Sequence, residues 1–278
     1  MTGKSRSILL LVSVLGAVSA LVVLALAVGR EPAQAQAPLP RRALVPALAV
    51  SRGPDAFDVT VRQGVAQQDG ALVGDALWFA WSYLNATLGR ATTTPVVVTV
   101  GASPGICGTA AAVASLGRLC IDLSAAGWST VPEFFRRKVV VHEHVHNLQA
   151  EVGCFAPRAP LWFTEGAAEY LAFEAVIAAG LVTRAGVESN DRTTVRGRTS
   201  VAGLADYETR SQIAQEPTFS LFRQAAKLLV ERSGVGSLLE LCAQSVTADW
   251  KTAFARIYNR SVDQFYVDFA AHVAALRQ

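Results

Sequence analysis

Charge is scarce in this chain, and its scarcity narrows the function first. Asp, Glu, Lys and Arg make up 17% of the 278 residues, and only four of the bases are lysines. The net charge is +3, with no basic cluster interleaved with aromatics, so nucleic acid is not expected as a partner. The four cysteines include no C-x-x-C pair, which argues against a cysteine-held zinc site. No phosphate-loop pattern and no internal repeat are present. What remains is a hydrophobic content of 51%, which fits one sizeable globular domain, or two small ones, together with a membrane segment.

That segment is at the start. Lys4 and Arg6 precede Ser7 to Gly29, 23 apolar and uncharged residues. As a helix they would extend about 35 Å, against about 30 Å of bilayer hydrocarbon. A signal-peptide core usually has about 7–15 residues, which favours an anchor. Ala33-Gln34-Ala35 and Ala35-Gln36-Ala37 nevertheless look like cleavage sites. Residues 1–37 are therefore a signal anchor or a signal peptide. The positive flank places residues 38–278 outside the cytoplasm in either case, anchored at the cell surface or secreted. Five prolines between residues 30 and 54 suggest a tether.

Histidine is as rare as lysine, yet three of the four histidines fall between residues 142 and 146. His142-Glu143-x-x-His146 is an H-E-x-x-H motif. On a helix its histidines sit about 40° apart around the axis, so both imidazoles can aim at one metal ion. Glu143 lies about 100° round from His142, within reach of a water on that metal but not placed as a ligand. His144 points away. Eighteen residues separate His146 from Glu165, which lies in Trp162-Phe163-Thr164-Glu165-Gly166-Ala167-Ala168-Glu169-Tyr170. A hydrolytic zinc site uses three protein ligands and one open position, and Glu165 is the natural third. Glu169, one turn on, is placed either to accept a hydrogen bond from a ligand histidine or to face solvent.

The motif, its spacing and the W-F-T-E-G-A-A-E-Y stretch resemble the gluzincin zinc metallopeptidases, the aminopeptidase-N and thermolysin-like clan with its small peptidase MA-like members. The resemblance covers residues 139–175. It implies zinc on His142, His146 and Glu165, with Glu143 as general base. It also implies a sheet-edge strand that holds the substrate backbone, for which Arg118 to Leu123 is the candidate. The chain departs from the clan in two ways. It has no G-[AG]-M-E-N segment, which speaks against an aminopeptidase, and no tyrosine can be matched to the oxyanion partner. Tyr207 is the residue to test for that role.

Along the rest of the chain, Phe57 to Arg62 alternates like a strand, and Gly70 to Leu88 has helical spacing. Pro95 to Val100 reads as a buried strand. Gly101 to Gly117 reads as loop. Thr130-Val131-Pro132-Glu133 resembles a capping box opening the motif helix, which Gly153 should close. A second helix is expected from Leu161 to Ala179. Residues 183–216 look polar and aperiodic, a loop or lid. Helices follow over 217–233, 237–245 and 248–258, and a last one opens at Ser261-x-x-Gln264. His272, alone in that helix, reads as structural. Four cysteines in an exported chain suggest two bridges. Cys107 and Cys120 bracket the Gly/Ala loop, while Cys154 follows the motif helix and Cys242 lies among the C-terminal helices. The favoured pairs are thus Cys107–Cys120 and Cys154–Cys242.

The expected fold is α+β: a small N-terminal sheet with a helix, a two-helix zincin core over residues 130–180, and a helical C-terminal part. The expected function is zinc-dependent hydrolysis of peptide or protein substrates. The alternative is a surface-anchored binding or scaffold module that has kept the fold without turnover. An intact Glu143 argues against it, because a structural zinc site needs no base.

Overall fold

The structure is a computed structural model and describes residues 56–108, 112–124, 128–155, 159–197, 203–208 and 217–278. The N-terminal apolar segment and the proline-rich tether lie outside the described residues. Among the described residues, no helix is long and apolar enough to cross a membrane.

Strand β1 (Phe57–Val61), helix α1 (Gln67–Leu88) and strand β2 (Val96–Gly101) form a β-α-β unit with the two strands parallel. Strands β3 (Ala112–Ser115) and β4 (Arg118–Asp122) form a hairpin, and β4 pairs parallel to β2. The sheet order is β1-β2-β4-β3. Two sequence expectations change here. The stretch taken as loop contains β3, because its Ala-Val-Ala-Ser segment folds back through Leu116-Gly117. Gly117 sits at φ 68°, a conformation open to glycine without strain. The strand expected at the edge, β4, is internal, and β1 and β3 are the edge strands.

One face of the sheet carries Val96, Val98, Val100, Leu119 and Ile121. It packs on Leu72, Val73, Ala76 and Leu77 of α1 and on Val140 of the motif helix α2 (Glu133–Glu151). The α1 stripe thus runs through Val73 and Leu77, whereas Trp78 and Phe79 are only partly buried.

Helices α3 (Leu161–Ala178), α4 (Arg184–Arg196), α5 (Pro217–Ser233), α6 (Ser237–Gln244), α7 (Trp250–Tyr258) and α8 (Val262–Arg277) build the second core, with a short 3-10 turn at Leu204–Tyr207. Trp162, Phe163, Phe222, Phe254 and Phe265 are fully buried in it. Burial of such a side chain contributes about 1.5–3 kcal/mol. The expected loop at 183–216 holds α4, capped by Thr183, whose hydroxyl accepts from Gly186 N at 3.1 Å. Its buried positions are Val187, Asp191 and Val195, one turn apart. The central one is charged, and this hid the period. Asp191 is held by Arg223 and Gln224 of α5, and Gln224 Oε1 also lies 3.2 Å from His272 Nε2. His272, itself only partly buried, is thus tied to this network.

The cysteines pair as Cys107–Cys120 and Cys154–Cys242, and none in the described residues is free. Such bridges point to an oxidising, extracytoplasmic environment. The first ties the loop after β2 to β4, and the second ties the end of α2 to α6.

Candidate metal centre

Helix α2 is the shared wall of both cores. Val140 faces the sheet, Val145 and Leu148 face the helices, and Val141 meets Ala80, Ala172 and Ala175. A helix enclosed on so many sides buries most of its polar side chains; both ring nitrogens of His144 and Asn147 Oδ1 are buried without a hydrogen-bond partner among the described residues. Asn147 Nδ2 donates to Arg118 O of β4 at 3.1 Å, which pins the helix to the sheet. The expected capping box does not form. The helix starts one residue after Pro132, and the Glu133 carboxylate accepts from Arg137 Nε at 2.8 Å. Its other end is as expected. Gly153, at φ 83°, closes it, with Cys154 N donating to Gln149 O at 2.8 Å. Helix α3 ends the same way at Gly180.

Helix α3 crosses α2 and brings Glu165 to the two histidines. His142 Nε2 and His146 Nε2 are 3.0 Å apart, and Glu165 Oε2 lies 3.2 Å and 3.3 Å from them. These three residues form a group that can hold a metal ion. Ligands about 2.0–2.1 Å from a tetrahedral ion stand about 3.3 Å from one another, so the spacing fits with little movement. Glu143 does not belong to this group. His144 is on the opposite side of the helix, its ring edge-on to Phe57 at 5.2 Å. Burial holds its pKa down to about 4, so it is neutral near pH 7.

The far nitrogen of each ligand histidine is also held. His142 Nδ1 is 2.9 Å from Glu169 Oε2, and His146 Nδ1 is 2.7 Å from Gln149 Oε1. Gln149 Nε2 in turn donates to Thr164 O at 2.8 Å. Each acceptor places the ring proton on Nδ1 and leaves Nε2 for a metal. Of the two positions open for Glu169, the structure shows the one against His142. Gln149 was not singled out from the sequence. Its signal was there: it follows His146 by three residues, on the same helix face. Lys138 was also missed. Its Nζ is 2.5 Å from Glu169 Oε2, and it reads in sequence as the end of an Arg-Arg-Lys surface run. Tyr207 is 8% exposed, and its ring packs edge-on to Phe222 in the helical core. Phe219 and Phe155 line the histidines, their ring centroids 5.8 Å from His142 and 6.1 Å from His146.

Electrostatics give an independent test of fit. Glu143, Glu165 and Glu169 set three carboxyl groups beside the histidines, against Lys138 and, near Glu169, Arg223, which is itself paired with Asp191. The cluster leans negative, which favours a bound cation. In the metal-free protein, protons take up part of that role. Burial pulls the pKa of His142 down, but Glu165 and Glu169 outweigh it and raise it to about 9. His146 is raised in the same way, against burial, by Glu165. Burial works against ionised Glu165 and Glu169, yet the histidines hold the first well below the carboxylate range. Lys138 and His142 hold the second at about 2. Burial raises Glu143, with the two histidines opposing.

A metal must displace the His142 proton. Its affinity is therefore expected to fall as pH drops below about 9, by about tenfold per unit for each proton displaced. Calorimetric titration in two buffers of different ionisation heat would count the protons released. Zero protons at pH 7 would contradict this account.

At Gly166, beside Glu165, α3 packs closely against α5. A Cβ there would stand 2.4 Å from Phe222 O. Gly166→Ala must push α5 aside and is expected to cost about 1–3 kcal/mol, read from the denaturant midpoint. An unchanged midpoint would show that the helices are free to separate.

Compared with known proteins, the chain matches no family model and no curated protein.

Proposed function

We propose that the chain is an extracytoplasmic zinc metallopeptidase of the gluzincin type, tethered through residues 7–29 or released by cleavage near residue 37. The observation that carries the reading is the convergence of His142, His146 and Glu165, with Glu143 on the same helix and outside the ligand group. Zinc in that group would supply Lewis acidity, lowering the pKa of a water to about 7 and polarising a substrate carbonyl. Glu143 then takes the proton of the attacking water and returns it to the leaving amine. Glu169 and Gln149 hold the imidazoles in orientation. The edge strand β3 packs on α2 and offers its open side to an extended peptide, the role expected of β4.

The test is metal analysis and peptide-library cleavage on one preparation purified without chelator. About one zinc per chain and chelator-sensitive cleavage are expected. Less than about a tenth of that zinc would end the metal reading. Full zinc with no cleavage would move the protein to the binding-module class.

A further inference from the structure

We infer that Lys138 is a positioning residue for the metal centre: it clamps Glu169 so that this carboxylate holds His142 in its metal-binding orientation. The inference rests on the metal reading of the His142–His146–Glu165 group. Lys138 stands four residues before His142 on α2, so the two side chains rise from one face of the helix. Both reach the same atom, Glu169 Oε2, Lys138 Nζ at 2.5 Å and His142 Nδ1 at 2.9 Å. The residue is 7% exposed, and a lysine so buried is costly unless its charge is matched. The match here is that carboxylate, with the rings of Phe135 and Phe173 each 5.2 Å from Nζ.

The clamp has a geometric consequence. Glu169 comes from α3 and turns about its own side-chain bonds. A second, charged donor on Oε2 fixes which oxygen faces His142 and in what plane. That choice sets the ring rotation of His142, and so the direction in which Nε2 points. Lys138 is not one of the candidate ligands; its ion pair is with Glu169, and its orienting effect on His142 passes through that carboxylate.

The experiment is a double-mutant cycle on zinc affinity in the full chain, measured by competition with a chromophoric chelator, with thermal midpoints recorded alongside. Lys138→Met is expected to weaken zinc by about 10–100-fold, the usual effect of losing a group that orients a ligand. Lys138→Arg keeps the cation and should stay within about threefold of wild type. Lys138→Met with Glu169→Gln should bind no more weakly than Glu169→Gln alone, because the lysine has nothing left to hold. The double variant also removes both buried charges, so it remains measurable where Lys138→Met alone does not fold. Wild-type affinity in Lys138→Met overturns the inference, and so does a double variant that shows both single losses multiplied. A wild-type protein that binds no zinc overturns the metal reading and this inference with it. Zinc in the wild type with uncoupled variants overturns this inference alone.

Discussion

Glu143→Gln is expected to lower peptide turnover by about 10²–10⁴-fold, which is about 3–5 kcal/mol of barrier, while zinc content and fold stay unchanged. Glutamine keeps the size of the side chain and one acceptor oxygen, but it cannot take a proton from water at neutral pH. The ligand group is untouched, since Glu143 is not part of it. Glu165→Ala is the contrasting variant. It removes one of the three ligand atoms and with it the carboxylate facing both histidines. Bound zinc should fall with activity, and excess zinc should restore part of both. Glu143→Gln should not respond to added zinc. Turnover and bound zinc, measured side by side on the two variants, separate the roles. Near-full activity in Glu143→Gln would remove the mechanism.

Loss of the Cys154–Cys242 bridge is expected to be the largest single stability effect. It closes a sequence separation of 88 residues, against 13 for Cys107–Cys120. On the loop-entropy account, a loop of that size is worth about 4–5 kcal/mol and the shorter one about 3 kcal/mol. The long loop contains all of α3 to α5, hence Glu165 and Glu169. The bridge anchors the C-terminal end of α2 to α6, behind the helix that carries both histidines. Replacing both cysteines by alanine should therefore lower the denaturant midpoint more than the same change at Cys107 and Cys120. It should also weaken zinc, because the α2–α3 crossing is what assembles the ligands. A larger loss from the shorter bridge would show that strain or residual unfolded structure outweighs loop length.

How much could be read beforehand varied with the range of the interaction. The helix and strand positions with clean periods were legible: α1, α2, α3, β1 and β2 lie within a few residues of where the pattern put them. The helix α4 was not, because a buried Asp191 sits in the middle of its apolar stripe. Its partner, Arg223, is 32 positions away on another helix. The strand β3 was missed because it is four residues long with a single strand-favouring side chain, Val113, and pairing with β4 makes it a strand. The capping box was one local pattern that other local interactions overrode. Pro132 sets the extended entry to the helix, and Arg137 takes the Glu133 carboxylate.

The site divides along the same line. Sequence alone determined the residues that share one helix turn: the two histidines of the motif, Glu143 between them, and the opposite aim of His144. Helical geometry leaves no freedom there. It also supplied the third ligand as a candidate by spacing and favoured, among three possible pairings, the two disulfides that the structure shows. Only the tertiary structure decided that α3 crosses α2 with Glu165 within 3.3 Å of both imidazoles. The same crossing puts Glu169, and not solvent, behind His142, and it turns Lys138 from an apparent surface charge into that carboxylate's partner. The reason is physical. A helix turn is set by the backbone period, whereas a crossing angle is set by which side chains from distant segments interlock. Here Gly166 lets α5 close on α3, and both cores clamp α2 between them.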